Sequence, residues 1–153
     1  MQARPEGIFS NDWIVTNDDG REVLLDLSAW RERAQFEVDG LVFELQKGEA
    51  FSGEFLMRSD GTVLARARKP SVFRNRFDLE VAGATFTLRK VSAMGRRFEV
   101  RQGETTVGEI LPEGALTRRT QLNLPPDWTL ETRLFVFWLV AVIWNREAQA
   151  VAS

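Results

Sequence analysis

Leu134–Trp144, LFVFWLVAVIW, is a run of eleven residues that carries no charge, hydroxyl or amide side chain. A helix needs roughly 20 apolar residues to cross a bilayer, because the hydrocarbon layer is ~30 Å thick and a helix rises ~1.5 Å per residue. Eleven residues reach only ~16 Å, and charged residues lie close on both sides, Arg133 before the run and Arg146 after it. The sequence therefore predicts that this run does not cross a membrane. It predicts instead that the rest of the protein surrounds it.

The apolar run fits a helix better than a strand. Eleven residues is long for a strand, and the flanking sequences TLETRL and NREAQA contain good helix formers. Pro125-Pro126 suits the start of a helix, and Asp127 and Glu131 place negative charge in its first turns. We predict a helix from about Pro126 to Gln149. Because its middle is apolar on every face, the rest of the chain must enclose it.

The chain before this helix alternates apolar and polar residues between short turns. This pattern is typical of antiparallel strands with one face exposed to water. Strong hairpin signals occur at Asp39-Gly40 and Asp60-Gly61, with further turns at 17–21, 82–84 and 103–104. We predict strands from about residue 8 to residue 124. A curled or closed sheet is needed, since a flat sheet buries only one stripe of a helix.

Two of the hairpins resemble each other. VDGLVFELQK matches VAGATFTLRK at a spacing of 43 residues, which pairs Gly40 with Gly83 and Lys47 with Lys90. A repeat of two hairpins per unit suggests a pseudo-symmetric barrel. The alternative is that any two hairpins share glycine turns and alternating apolar residues. The inward residues of such strands are expected to include Phe43, Phe55, Phe86 and Phe98.

The order of these segments resembles the tubby-like barrel superfamily, which includes tubby domains, phospholipid scramblases, LURP-one-related proteins and small bacterial members. The resemblance is carried by SDGTVLARARKP, RRFEVRQGETTVGEIL and LPPDWTLETRLFVFWLVAVIW, and it covers most of the chain. It implies a single domain over residues 1–153, mainly β, in which a closed antiparallel barrel of about 12 strands encloses the C-terminal helix. The chain lacks the cysteine cluster and the acidic calcium segment of scramblases, so scramblase activity is not expected.

The sequence LARARKPSVFRNRF carries the most regularly spaced cations. Arg66 and Arg68 alternate on one predicted strand and so share a face, Lys69 ends that strand, and Arg74 and Arg76 repeat the spacing. Arginine can bind phosphate oxygens bidentately, and an anionic lipid surface attracts each basic residue by ~1 kcal/mol. Tubby domains bind phosphoinositides through basic strand residues, so the resemblance implies a similar role. We predict these five residues as contacts to an anionic headgroup.

The alternative is that these cations form the polar outer face of the barrel and pair with carboxylates on neighbouring strands. Further basic residues lie at Arg96-Arg97, Arg101 and Arg118-Arg119. The net charge is −2, so the chain can bind an anionic membrane only if its charges are strongly segregated.

The residue types that are missing exclude several kinds of chemistry. The chain contains no Cys, His or Tyr, which removes disulfides, sulfur-ligated metals and the side chain that titrates near neutral pH. The sequence NDDG at 17–20 lacks the spacing of an EF-hand and suits a turn. No glycine-rich phosphate loop is present, and the net charge does not favour nucleic acid. We predict no catalytic residues, no cofactor and no metal.

The first hypothesis is a non-catalytic module that associates with anionic phospholipid or tethers the protein to a membrane. The second is a soluble protein-interaction or scaffold domain, and an enzyme comes third.

The N-terminal sequence lacks the apolar region of a signal peptide, so we expect a cytoplasmic protein that is peripheral where it meets a membrane. Of the 20 basic residues 17 are Arg, which suggests a GC-rich, bacterial genome. Trp13, Trp30 and Trp128 are expected to plug the barrel.

Overall fold

Residues 1–28, 32–48 and 53–152 are described by the structure, which is a computed structural model. These residues form twelve strands and one helix, α1, at Leu130–Ala152. The strands are β1 Gln2–Pro5, β2 Trp13–Thr16, β3 Glu22–Ser28, β4 Arg33–Val38, β5 Leu41–Lys47, β6 Glu54–Ser59, β7 Thr62–Arg68, β8 Arg76–Val81, β9 Ala84–Lys90, β10 Phe98–Gln102, β11 Thr105–Pro112 and β12 Thr120–Asn123.

The twelve strands form one closed antiparallel barrel. Each strand pairs with the next along the chain, and β1 pairs with β12 to complete the circle, with Gln2 opposite Gln121 and Ala3 opposite Thr120. Closure removes the free edges that would otherwise expose unpaired backbone groups. The predicted fold class, a closed barrel of about 12 strands with a C-terminal helix, is confirmed.

Helix α1 lies inside this barrel. Every residue from Leu134 to Trp144 is buried, and Trp138 at its centre has no exposed surface. The ring of Trp138 packs edge-on against Phe55 with centroids 5.6 Å apart, and Phe137 packs edge-on against Trp13 at 5.0 Å. Such edge-to-face pairs contribute about 0.5–1.5 kcal/mol each beyond the area they bury. Protein surrounds the apolar run, as predicted.

The 43-residue spacing is visible in the geometry. The bounds of β4 and β5 become those of β8 and β9 when 43 is added to each. Both hairpins turn through two residues of positive φ, Asp39 (53°) and Gly40 (79°) in one and Ala82 (52°) and Gly83 (72°) in the other. This is the turn whose twist matches that of the strands. The irregularities in the next hairpins, at 57/58 and 100/101, are also 43 residues apart.

The first strand begins earlier than predicted. Strand pairing starts at Gln2 instead of about residue 8, because β1 fills the gap between β12 and β2. The sequence of β1, QARP, has one buried residue, Ala3, and ends in proline. It carries too little apolar alternation to indicate a strand locally. The last strand ends at Asn123, close to the predicted 124.

The helix begins four residues later than predicted. The hydroxyl of Thr129 accepts a hydrogen bond from the backbone N–H of Thr132 at 3.3 Å, which makes Thr129 the N-cap. The residues before it form a turn in which the N–H of Trp128 donates to the carbonyl of Pro125 at 3.1 Å. The other end runs to Ala152 and not to Gln149.

Three of the four phenylalanines predicted to point inward are buried, namely Phe43, Phe55 and Phe98. Phe86 is partly buried and packs edge-on against Trp128, with ring centroids 5.0 Å apart. Trp13 and Trp128 are both buried, which agrees with their interpretation as plugs. Trp30 lies outside the described residues.

Replacing Trp138 or Phe137 with Asp should abolish folding, because each position is fully buried and an unpaired charge there costs several kcal/mol. Trp138→Phe is the matched control. This variant should remain folded, because it keeps an aromatic ring at the position. The indole N–H that it removes is buried and has no hydrogen-bond partner among the described residues, so no hydrogen bond is lost. Circular dichroism and thermal unfolding measure both effects. A cooperative transition at the wild-type temperature in either Asp variant would contradict the enclosed-helix arrangement.

Candidate functional site

The two ends of the barrel are built differently. Because neighbouring strands run in opposite directions, the connections between them alternate between the ends. One end, here named the turn end, holds the start of α1 and the connections at 17–21, 39–40, 60–61, 82–83 and 103–104. The other, here named the loop end, holds the last turns of α1 and the connections at 6–12, 69–75, 91–97 and 113–119. The connections after β3 and β5 also belong there and lie partly outside the described residues.

The five predicted headgroup residues fall into two groups. Arg66, Arg68 and Arg76 lie on the outer wall, in β7 and β8. Lys69 and Arg74 lie in the connection 69–75 at the loop end. The structure therefore does not gather all five at one point.

Carboxylates surround the wall group. Arg66 lies opposite Glu80 in the β7–β8 register, and its Nη1 is 3.4 Å from Glu54 Oε1. Arg76 Nη2 is 3.1 Å from Asp78 Oδ1. These side chains are about half exposed, and ion pairs of this kind contribute ~0–1 kcal/mol. The wall has alternating charges, as the alternative interpretation expects.

Arg68 has the same surroundings, since its register partners are Glu54 on β6 and Asp78 on β8. Together with its neighbours it lines a shallow wall depression that contains as many carboxylates as arginines. A balanced surface of this kind does not attract an anion strongly.

On the other side of Arg76, a basic groove of about 900 Å³ runs along β8 and β9 to the loop end. Its cations are Arg74, Arg76, Arg89, Lys90 and Arg101, and its one carboxylate is Glu104. Arg76 and Arg89 are direct partners in the β8–β9 register, and each forms an ion pair with a carboxylate, Arg76 with Asp78 and Arg89 with Glu99. Arg89 and Lys90 were not among the predicted residues. The observed two-residue turn at 82–83 places Arg89 opposite Arg76, whereas the predicted turn at 82–84 is centred on Gly83 and would have placed Lys90 there.

The four described connections at the loop end are each seven residues long. In three of them, 6–12, 91–97 and 113–119, the N–H of the first residue donates to the carbonyl of the seventh at 2.9 Å. The fourth residue of every connection is apolar and exposed to solvent. These residues are Phe9 (97% exposed), Val72 (83%), Met94 (98%) and Leu116, which is fully exposed. Ile8 and Phe73 beside them are also exposed.

Three of these loops also share their cations. Arg74, Arg96 and Arg118 occupy the sixth position and follow one another at intervals of 22 residues. The loops 69–75, 91–97 and 113–119 together contain six cations and one carboxylate, Glu113. They connect β7 to β12 and so lie side by side around the barrel. A search for an apolar residue followed two positions later by arginine would have found them.

The turn end has the opposite charge. Its connections contain five carboxylates, Asp18, Asp19, Asp39, Asp60 and Glu104, and one cation, Arg21. The amino group of Met1 donates to Asp18 Oδ1 at 2.7 Å, and this hydrogen bond lowers the pKa of the Asp18 carboxyl. The four described loop-end connections contain six cations and three carboxylates, Glu6, Asp12 and Glu113, so the net charge of −2 hides a segregation of charge between the two ends.

Positive charge is crowded at the loop end. Burial lowers the pKa of Lys69, and the nearby charge of Arg146 lowers it further. Burial also lowers the pKa of Arg96, and the charge of Arg118 adds to the effect. In both cases the protonated form is held less favourably than in water. A negatively charged group placed nearby would reverse this penalty.

Hydrogen bonds attach the loop end to the helix. Lys90 Nζ is 2.6 Å from Glu147 Oε1, which also accepts from Asn75 Nδ2 at 3.2 Å. The guanidinium of Arg146 binds the carboxylate of Glu32 through two nitrogens, at 2.8 and 2.9 Å. The loops are therefore held on a rigid core, which lowers the entropic cost of binding a surface.

The described residues contain no cluster of acidic side chains that could hold a metal ion. Helix α1 is long and apolar enough to cross a bilayer by length and composition, but its apolar run Leu134–Trp144 is buried in the barrel. Comparisons with protein-family models, curated proteins and solved structures find no match to this chain. The tubby-like resemblance stays a prediction, and the function has to be argued from the loop end itself.

Glu147→Gln should lower the free energy of unfolding by about 1–2 kcal/mol, because Lys90 is almost completely buried and loses its carboxylate partner. The cost is smaller than for a fully buried pair, since Glu147 is partly exposed. Urea unfolding measures the difference. Asp78→Asn is the control for an exposed pair and should change stability by no more than about 0.5 kcal/mol. Equal losses in the two variants would mean that Glu147 does not anchor the loop end.

Proposed function

We propose that the protein is a non-catalytic module that associates with anionic membrane surfaces through its loop end. One observation carries the proposal. Three neighbouring loops each expose an apolar side chain at the fourth position and place an arginine two residues later. A fourth loop, 6–12, adds the exposed side chains of Ile8 and Phe9. The exposed apolar side chains of these four loops are here named the apolar rim.

The two kinds of side chain supply the two attractions that peripheral binding needs. Full burial of one Val, Leu, Met or Phe side chain is worth about 1.5–3 kcal/mol, and insertion at a bilayer interface yields a part of it. Each cation near an anionic surface adds about 1 kcal/mol. Neither attraction alone gives stable attachment, whereas apolar insertion combined with a basic patch does.

The segregation of charge between the two ends of the barrel favours one orientation of the protein on a membrane. With the loop end against an anionic surface, the acidic turn end lies farthest from it. Electrostatic attraction falls off within about 10 Å at 0.1 M salt. The loop cations therefore act on the surface directly, while the carboxylates of the turn end are screened from it.

The predicted headgroup residues take different roles in this proposal. Lys69 and Arg74 belong to the interface itself. Arg76 lies in the basic groove that joins the loop end, where a headgroup that projects beyond the bilayer plane would meet it. Arg66 and Arg68 lie among carboxylates on the wall and contribute little.

The sharpest test is flotation with vesicles of phosphatidylcholine, with or without phosphatidylserine or a phosphoinositide. The wild-type protein should bind only the anionic vesicles. Replacing Phe73, Met94 and Leu116 together with Ser should weaken binding by at least about tenfold. The fold should be unaffected, because all three side chains are exposed to solvent.

Leu24→Ser with Leu41→Ser is the matched control. Both residues are about half exposed on the barrel and lie away from the loop end, so their loss should leave vesicle binding unchanged. Wild-type protein that stays in the unbound fraction on anionic vesicles at low salt would overturn the proposal. In that case the apolar rim would fit the alternative, an interface with a protein partner. Binding that the loop substitutions leave unchanged would overturn the assignment of the loop end.

A further inference from the structure

An open cleft of about 610 Å³ lies at the loop end, between α1 and three of the loops. Its size is that of a small-molecule site. Its lining is largely apolar, with Trp13, Leu27, Ala141, Trp144 and Val151. The charged residues that line it are Arg96, Arg118 and Glu147.

The two arginines lie over the two indole rings. Arg96 Cζ is 4.5 Å from the ring centroid of Trp144, and Arg118 Cζ is 5.4 Å from that of Trp13. The two rings are themselves neighbours, with centroids 6.2 Å apart. Each guanidinium therefore covers one of two neighbouring indole rings, and the rings belong to buried residues, since Trp13 is 4% and Trp144 8% exposed. Cation–π attraction of this kind contributes about 0.5–2 kcal/mol per pair.

Hydrogen bonds hold this arrangement in place. Trp144 Nε1 donates to the carbonyl of Arg96 at 3.2 Å, so the indole and the loop fix each other. Arg96 Nη1 donates to the carbonyl of Thr117 at 3.3 Å, which connects the loops 91–97 and 113–119. The cleft is thus formed before any ligand arrives.

The charge in the cleft is not balanced. Neither Arg96 nor Arg118 forms an ion pair with a carboxylate of residues 1–28, 32–48 or 53–152. Glu147, the one carboxylate in the lining, is bound by Lys90 and Asn75. Burial and the charge of Arg118 lower the pKa of Arg96, and the opposite effect of the Glu147 carboxylate is smaller.

We infer that this cleft binds the head of one anionic amphiphile, with a phosphate or carboxylate between Arg96 and Arg118 and an apolar chain along the apolar lining toward Val151. Guanidinium groups are suited to such oxyanions because they donate in pairs. The apolar lining continues to Val151 at the rim of the cleft, which gives the chain a route outward. The inference rests on the proposed function, because it names the ligand that the loop end would select from a surface.

The test uses single molecules in solution, without a bilayer. Octyl phosphate below its micelle concentration is added to ¹⁵N-labelled protein, and the indole N–H signals are followed. The signals of Trp13 and Trp144, assigned with Trp→Phe variants, should shift. Trp128, at the turn end, is an internal reference that should not move. Octanoate should act like octyl phosphate, while inorganic phosphate and the uncharged octyl glucoside should bind at least about tenfold more weakly.

Two variants of neighbouring residues separate a built site from general charge. Arg118→Gln should weaken octyl phosphate binding by about tenfold, the loss of one charged hydrogen-bonding partner. Arg119→Gln makes the same change one residue away on the same loop, and Arg119 does not line the cleft. It should leave octyl phosphate binding unchanged, while both variants should weaken vesicle binding to a similar extent. Arg96→Gln should behave like Arg118→Gln, and an unchanged Trp128 signal would show that it has folded.

The outcomes distinguish this inference from the proposed function. Failure of wild-type flotation contradicts the membrane proposal, and shifts of Trp13 and Trp144 in solution would still support the cleft. No shift at millimolar octyl phosphate overturns the cleft even when vesicles bind. Equal effects of Arg118→Gln and Arg119→Gln would also overturn it, because general charge would then explain the binding. Equal binding of inorganic phosphate would overturn it as well, because the apolar lining would then contribute nothing.

Discussion

The burial of a helix that is apolar on every side is the constraint on which the rest of this structure depends. Leu134–Trp144 can be kept from water only by a sheet that closes on itself, and a closed sheet has no edges left to bind a partner by strand addition. The helix side chains also fill the barrel, so its centre is a packed core. Recognition is therefore left to the outer wall and the two ends.

The two ends divide the remaining tasks. At the turn end the hairpins close in short turns such as Asp39-Gly40, whose positive φ angles follow from the twist of the strands and leave little room for variation. The loop end has seven-residue connections on a rigid base, held by the Lys90–Glu147 and Arg146–Glu32 pairs. Loops on a rigid scaffold are where proteins commonly place binding residues. The structural asymmetry and the charge asymmetry thus coincide.

The sequence predicted the fold, and it brought together only some of the residues that the structure places at the candidate site. The length and flanks of Leu134–Trp144 and the alternation before it predict the enclosed helix, since both are local signals. The helix start was misplaced because Pro125-Pro126 resembles a first turn, whereas a single hydroxyl, that of Thr129, decides the cap. Alternation placed Arg66 and Arg68 on one face correctly, but their carboxylate neighbours come from other strands. Such partners depend on register and closure, which no local pattern contains.

The same limit explains why the cleft beside Trp13 and Trp144 could not be predicted from the sequence. Trp13 and Trp144 are separated by almost the whole sequence, and they become neighbours only because β1 joins β12 and the helix returns through the barrel. Arg96 and Arg118 come from different loops, which are neighbours because β10, β11 and β12 pair one after another. The wall arginines Arg66 and Arg76 have carboxylate partners on the strands, and at the loop end Arg97 reaches Glu109 on β11. Arg96 and Arg118, by contrast, form no ion pair with a carboxylate in the part of the chain that the structure describes. These two arginines thus lie at the same end of the barrel as the exposed apolar side chains of the loops, and the proposed function assigns both features to one anionic surface.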